Sequence, residues 1–411
     1  MNSYKQHAVV DVRPFTQQRD GDEVIIGSPE TGVFLVVEPE AAEMLQELAS
    51  GKTVGEVSDI YQRKHGEKPD LDDFLTLLEA KGLIRTPGQN SLADRERLET
   101  PHESKRHYHF STFPESTARL LFGKPALIIA ISLIIWAIAT VISDHTLVPV
   151  PANLVFEDHL TLTWTILVIL NISAVFLHEM AHAIAARAAG AQSRIGIGNR
   201  LWYLVAETDM TGLWALPKRK RYVPFLAGML CDGVCASLLI LLLSSQHAEI
   251  VARYPFLARV MRAMIFTYFM AIVWQFFLFV RTDLYFVLAT ALNCRNLLAD
   301  TEVFLKNQLA RFISRIGHQD QTHIPLRERK VIRLYSGVWI AGRVCAISTV
   351  LWATIPVSLG YWHIVSSVVS QGYQTNRAGF VDGIVLTLYF LVPTVAGCVL
   401  WVRSIAHGAR S

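Results

Sequence analysis

An α-helical membrane protein of about six transmembrane helices, with a small α+β winged-helix-like cytosolic domain at its N-terminal end, is the fold class this sequence predicts. Three observations predict it. Of the 411 residues, 52% are hydrophobic and only 18% charged, which is too apolar for an ordinary soluble chain and too charged for one lying in lipid throughout. Beyond residue 118 the apolar residues gather into runs of near-spanning length. Before residue 88 they form short stretches broken by turn signals. The net charge of +3 is small for this length, so the expected partner is a lipid bilayer and not nucleic acid.

Residues 1–88 read as the soluble domain. PFTQQ, EVIIG and GVFLVV are extended runs separated by Asp-Gly and Pro-Glu-Thr-Gly turns, and helical periodicity follows over Pro39–Leu48, Thr53–His65 and Leu71–Lys81. The opening MNSYKQHAVVDVRPF has no apolar signal core, which places this domain in the cytosol. Residues 89–118, polar and punctuated by Pro and Gly, read as a linker or membrane-surface segment. His102, His107 and His109 fall there without the Cys or carboxylate spacing of a metal site. The five cysteines form no CxxC pair and read as small, buried, reduced residues.

Residues 119–411 read as a polytopic membrane domain. Spans are predicted at Ala126–Ile142, Leu160–Ala186, Pro224–Leu243, Ile265–Val280, Ser336–Leu359 and Val381–Val402. The connections after the second and fourth runs are rich in Lys and Arg, including Lys218–Arg221 and Arg327–Arg333. SDHTLVPVPANLVFEDH and the stretch Tyr361–Asn376 carry none. Positive charge collects on the cytosolic side, so a multi-pass cell-membrane protein with both termini inside is expected.

Within the second run stands VFLHEMAHAIAARAAG, Val175–Gly190. A polar trio in an apolar helix is costly in lipid, which marks a working site. His178 and His182 are four apart and stack on one helix face, with Glu179 within reach of a water held between them. This is the spacing of two zinc ligands and a general base. Catalytic Zn2+ takes three protein ligands and leaves a position for water, so a third ligand is required. The candidates are the Glu207/Asp209 pair in LVAETDM and Asp283 in FLFVRTDLYFVLA.

Depth favours Asp283. The second span, entering near Leu160, reaches the histidines after about 18 to 22 residues, and the fourth, entering near Arg262, reaches Asp283 after about 21. The chemistry such a site supports is peptide-bond hydrolysis, with Glu179 taking a proton from the attacking water and returning it to the leaving amine. SRIGIGNRLWYLVAETDMTGLWALP offers alternating runs around a polar turn. It reads either as a hairpin whose edge presents an extended substrate or as an interfacial loop anchored by its Trp residues.

HEMAH in an apolar helix, the basic hairpin-like segment, YVPFLAGMLCDGV and RTDLYFVLATALNCRNLL together resemble the site-2 protease-type membrane zinc metallopeptidases. More specifically, the chain is similar to the bacterial branch that carries an N-terminal PqqD-like domain and accompanies ribosomally made, modified peptides. The metal core, about residues 160–300, carries the resemblance, most specifically Trp164–Leu298. It implies Asp283 as the third zinc ligand. The family motif is usually Asp-Gly-Tyr-Tyr after Asn-Pro; here it reads Asp283-Leu284-Tyr285-Phe286, with the Gly replaced and the Asn-Pro absent.

GVFLVVEPEAAEMLQELASGKTVGEVSDIYQ and DLDDFLTLLEAKGLI are similar to PqqD-like precursor-recognition domains. The resemblance implies a leader peptide added as a strand beside Gly32–Val37 and against Leu71–Lys81, although small winged-helix folds that serve only as structural modules share the pattern. The partners implied are a peptide or membrane-protein substrate, together with peptide-modifying enzymes or an exporter. Two readings compete with the protease: a transporter or export partner whose intramembrane His and Glu relay protons, and a non-catalytic scaffold that binds a peptide without cleaving it.

Overall fold

A computed structural model describes the chain except for residues 1–3, 5, 21–22, 29–32, 86–107, 110–112, 157–158, 192, 201–202, 246–252, 295, 314–316, 323, 375–376 and 409–411. His102 and His107 lie outside the described residues, as does the side chain of His109. The chain divides into two compact units. One comprises Met1–Arg119, Ala183–Ile197 and Glu207–Pro224, the other Leu120–His182, Gly198–Ala206 and Phe225–Ser411.

The first unit opens with strands β1 (Asp11–Val12), β2 (Thr16–Asp20), β3 (Glu23–Ser28) and β4 (Val33–Val37). Helices α1 (Pro39–Ala49), α2 (Val54–His65) and α3 (Leu71–Ala80) follow, then strand β5 (Ile84–Arg85). The three strands and three helices expected from turn signals and periodicity are all present. The β1–β5 pair was not anticipated, because two-residue strands are too short to show a period. Strands β2, β3 and β4 form an antiparallel meander in that order, with Ile26 opposite Gln17 and Leu35.

Alternation along the strands decides the core face: Val24, Ile26, Leu35 and Val37 turn toward Ala42, Leu45, Leu48, Leu75 and Leu78. Helix α2 starts on a reciprocal capping box between Thr53 and Glu56 and stops at Gly66, whose φ of 81° suits a residue without Cβ. The Thr53 hydrogen bonds hold the Glu56 carboxyl below its ordinary pKa.

Ile25, alternating to the other face of the meander, is buried as well, and a 3₁₀ turn, Thr211–Ala215, packs against all three strands. Arg221, 1% exposed, donates to the Asp20 carboxylate at 3.1 Å and to the carbonyls of Leu216 and Trp214, and it lies over the Trp214 ring. Removing one partner of such a buried pair leaves an uncompensated charge. Asp20→Ala is therefore expected to cost about 3 kcal/mol, read as a lowered unfolding midpoint of the purified chain. An unchanged midpoint rejects the pair as a structural tie.

Along the rest of the chain come β6 (Tyr108–His109), α4 (Glu115–Leu121), α5 (Lys124–Ser143), α6 (Leu160–Ala189), β7 (Arg194–Arg200) and β8 (Tyr203–Asp209). Helices α7 (Lys218–Ser245), α8 (Pro255–Gln275), α9 (Asp283–Leu292), α10 (Leu297–Ala310), α11 (Leu326–Thr349), α12 (Ile355–Gln371) and α13 (Arg377–Gly408) complete it. Strands β6, β7 and β8 are neighbours in one sheet, so the segment open to either reading forms strands and not an irregular loop.

Five helices among the described residues are long and apolar enough to cross a bilayer: Glu115–Ser143, Leu160–Ala189, Lys218–Ser244, Pro255–Gln275 and Leu326–Gln371. The sequence predicts about six. The sixth run lies on α13, where many side chains beyond residue 389 fall outside the described residues.

Two limits also differ. The fifth span, expected over Ser336–Leu359, belongs to a continuous 46-residue helix, which absorbs most of the connection expected at Tyr361–Asn376. A π-helical turn, Val350–Thr354, precedes Pro356, where widening relieves the clash of the proline ring with the preceding turn. The fourth helix begins ten residues before the expected Ile265, at Pro255, and stops at Gln275 instead of Val280. That early stop shapes the site.

Candidate metal centre

All the residues that meet at the centre belong to the second unit. Four residues of separation on α6 put His178 and His182 one turn apart, with ring centroids 4.9 Å apart and planes at 70°. The third member comes from the break between α8 and α9. The buried Gln275 ends α8: its carbonyl accepts from Thr282 Oγ1 at 2.9 Å, and its side-chain Oε1 accepts from the backbone N–H of Asp283 at 3.0 Å. Thr282 then caps α9 by accepting from the Tyr285 N–H, and the Tyr335 hydroxyl donates to the carbonyl of Leu278. Non-helical backbone between apolar helices is tolerated where such partners replace the lost ladder. The consequence is that Asp283, the first residue of α9, is aimed at the histidines.

The three ligand atoms form a nearly equilateral triangle. His178 Nε2 and His182 Nε2 each lie 3.1 Å from Asp283 Oδ2, and the two nitrogens are 3.2 Å apart. A tetrahedral ion with bonds of about 2.0–2.1 Å holds its ligand atoms about 3.3 Å apart, so the triangle matches one face of such a site. His178 Nδ1 lies 2.8 Å from Asp232 Oδ2, so a carboxylate holds the ring on one side while Nε2 faces the triangle on the other. Nε2 meets a carboxylate oxygen and a second imidazole nitrogen, three atoms that can ligate one cation. His182 is 1% exposed, whereas His178 and Asp283 keep partial exposure, so the triangle is accessible from outside.

Helix α7 forms one wall. A Cβ built on Gly228 would lie 2.3 Å from His178 Nε2 and 2.5 Å from His182 Nε2, so only glycine leaves the space between helices free for the ligands. Gly228 and Asp232 are one turn apart on the same face of α7.

The expected residues thus separate. His178, His182 and Asp283 come together, and they are the one group of three or more potential ligands within reach of a common ion among the described residues. Glu179 is half-buried and adjacent to His178 on α6. Asp209 takes another role: its carboxylate accepts from Arg194 at 2.9 Å and from Thr211. Burial raises its pKa, but the Thr211 and Arg194 hydrogen bonds outweigh that and hold it below the usual carboxylate range. The side chain of Glu207 lies outside the described residues.

Sequence reasoning passed over Asp232, Gly228 and Gln275. The available signal was a carboxylate inside the apolar run of YVPFLAGMLCDGV, one turn after a glycine. The four cysteines among the described residues are reduced, as expected, but of these only Cys294 is buried. Cys231 and Cys235 are half-buried, Cys345 is exposed on a helix with many exposed apolar neighbours, and the side chain of Cys398 lies outside the described residues. Set beside known protein families, curated proteins and solved structures, the chain matches none of them.

Proposed function

We propose that this chain is an intramembrane zinc metalloprotease that hydrolyses a peptide bond in a membrane-associated or ribosomally made precursor peptide. The observation that carries the reading is the triangle of three potential ligand atoms, His178 Nε2, His182 Nε2 and Asp283 Oδ2, each within 3.2 Å of the other two. Two imidazoles and one carboxylate are a donor set that suits Zn2+. Bound there, zinc would supply Lewis acidity and lower the pKa of a water at the open position to about 7.

The chain's own residues supply the rest. His178, His182 and Asp283 hold the site together, with Asp283 set by Gln275. Glu179 takes the proton of the attacking water and returns it to the departing amine, a transfer that needs a carboxylate beside the ligands and not one of them. The reading places the site within a bilayer, in a multi-pass protein with both termini cytosolic. The first unit would recognise the peptide: β4 is an edge strand of its sheet, the position at which an added strand can pair, with α3 contributing to the same domain core.

The test is the zinc content of the purified full-length chain, measured together with cleavage of candidate precursor peptides, for wild type and Asp283→Ala. The expected wild type holds about one zinc and cleaves, while Asp283→Ala loses at least 100-fold in zinc affinity and all measurable cleavage. A wild-type chain without zinc ends the protease reading in favour of a transporter or scaffold.

A further inference from the structure

We propose that Arg343 is the anion-binding residue of a phospholipid site on the exposed face of α11, where its guanidinium takes the headgroup phosphate. The proposal rests on the reading that the apolar helices span a bilayer, and it is independent of the metal centre.

Between Arg333 and Arg377 the chain holds no other Asp, Glu, Lys or Arg, so Arg343 is a single charge inside the continuous helix Leu326–Gln371. It is exposed, as are Val338, Ile340, Val344 and Ile347 around it. Such an apolar surface suits acyl chains, but a guanidinium set among them is costly unless an anion meets it. None does within the fold: among the described residues Arg343 makes neither an ion pair nor a hydrogen bond through its side chain.

What Arg343 does touch is aromatic. Its Cζ lies 4.7 Å from the centroid of the Phe279 ring and 4.5 Å from that of Trp339, and the two rings are 6.4 Å apart at 73°. Ring faces hold the plane of a guanidinium and leave its edge, where the N–H donors point, for a bidentate oxyanion. The buried Trp339 Nε1–H also has no acceptor. Two groups of donors thus gather at one spot with no acceptor from the fold.

Direction along the helix selects the anion. Trp339 is one turn before Arg343, so the contact shows the arginine leaning toward the N-terminal end of α11, the way Cα–Cβ bonds tilt. That end carries Arg327, Arg329, Lys330 and Arg333, which mark the cytosolic interface in this reading. Arg343 stands about 15 Å beyond Arg333 along the axis, and a long side chain leaning back brings its charge toward the headgroups. A lipid phosphate meets it there with its chains along Val338, Ile340, Val344 and Ile347. A soluble anion has no such apolar surface to use.

The test is native mass spectrometry of the full-length chain, kept in a phosphate-free maltoside detergent and titrated with phosphatidylglycerol. Wild type is expected to retain a lipid above the diffuse background. Arg343→Gln should weaken that binding about 10-fold, the scale of charge-assisted hydrogen bonds lost from one group. Arg343→Lys keeps the charge without the planar fork and should lose several-fold. Arg377→Gln is the control, since it removes another exposed arginine that lies over a ring, that of Tyr373, and it should bind as wild type does. Inorganic phosphate at the same concentration should not displace the lipid.

An Arg343→Gln chain that binds as tightly as wild type overturns the proposal, as does a wild type that retains no lipid. Equal losses in Arg343→Gln and Arg377→Gln would make the attraction diffuse and overturn it too, and displacement by inorganic phosphate would assign the site to a soluble anion. If the glutamine variant does not fold, Arg343→Lys carries the comparison, and binding as tight as wild type then rejects the stacked fork. Zinc enters none of these readouts, so their failure leaves the protease reading to its own test.

Discussion

Gly228→Ala is expected to weaken zinc binding at least 100-fold and to remove cleavage with it, while the helix content of the chain stays as in wild type. Alanine is the better helix former by about 1 kcal/mol, so the substitution favours α7 locally. The harm is steric and confined to one spot. The added methyl would stand 2.3 Å from His178 Nε2, 2.5 Å from His178 Cε1 and 2.5 Å from His182 Nε2. Both rings are held on α6, and His178 is held again by Asp232, so neither can retreat without giving up its place in the triangle.

Gly233→Ala on the same helix supplies the control. Its Cβ would meet only the tip of Ile134, at 3.0 Å, and a flexible end can move by a few tenths of an ångström. Zinc titration of the two variants, with circular dichroism to follow the fold, separates the cases. A Gly228→Ala chain that binds zinc like wild type would mean that the helices are not packed this closely around the histidines.

Glu179→Gln is expected to lower kcat by about 10²- to 10⁴-fold with zinc content unchanged, the range that proton transfer by one positioned side chain contributes. Glutamine preserves the size of the side chain and its capacity to orient a water, but it cannot take a proton. Glu179 is outside the His178, His182 and Asp283 triangle, so its substitution leaves all three ligands in place. Single-turnover cleavage with saturating peptide isolates the chemical step. Loss of zinc together with activity would instead place Glu179 among the groups that hold the ion, and full activity would remove it from the mechanism.

Much of this molecule is legible in local pattern. In the first unit, Val24, Ile26, Leu35 and Val37 alternate into the core, and the Asp-Gly and Pro-Glu-Thr-Gly signals fall in the sequence between consecutive strands. The Thr53 and Gly66 punctuation of α2 is written within single turns of chain. The apolar runs announce helices long and apolar enough to cross a bilayer, because length and composition are written in the run itself. His178 and His182 converge because a helix brings positions four apart to one face.

Where the pattern fails, the cause is non-local. Composition carries the fourth span on to Val280, yet the helix stops at Gln275, because Gln275, Thr282 and Tyr335 supply partners that make a break affordable. The fifth run shows only where the chain is most apolar, and the helix it sits in starts ten residues earlier, in the charged LRERKVIRLY, and runs on to Gln371.

The N-terminal strands and helices, the apolar helices, and the pair of histidines with their neighbouring glutamate can all be read from the chain alone, since each is a property of residues within a turn or two of one another. Which carboxylate joins those histidines, which one meets His178 Nδ1, and why position 228 has no side chain emerge only from the packing of the helices. Asp283 meets His178 across 105 positions of sequence and Asp232 meets it across 54. Contacts at such separations depend on how helices pack, and side-chain packing of that kind leaves no period in the chain.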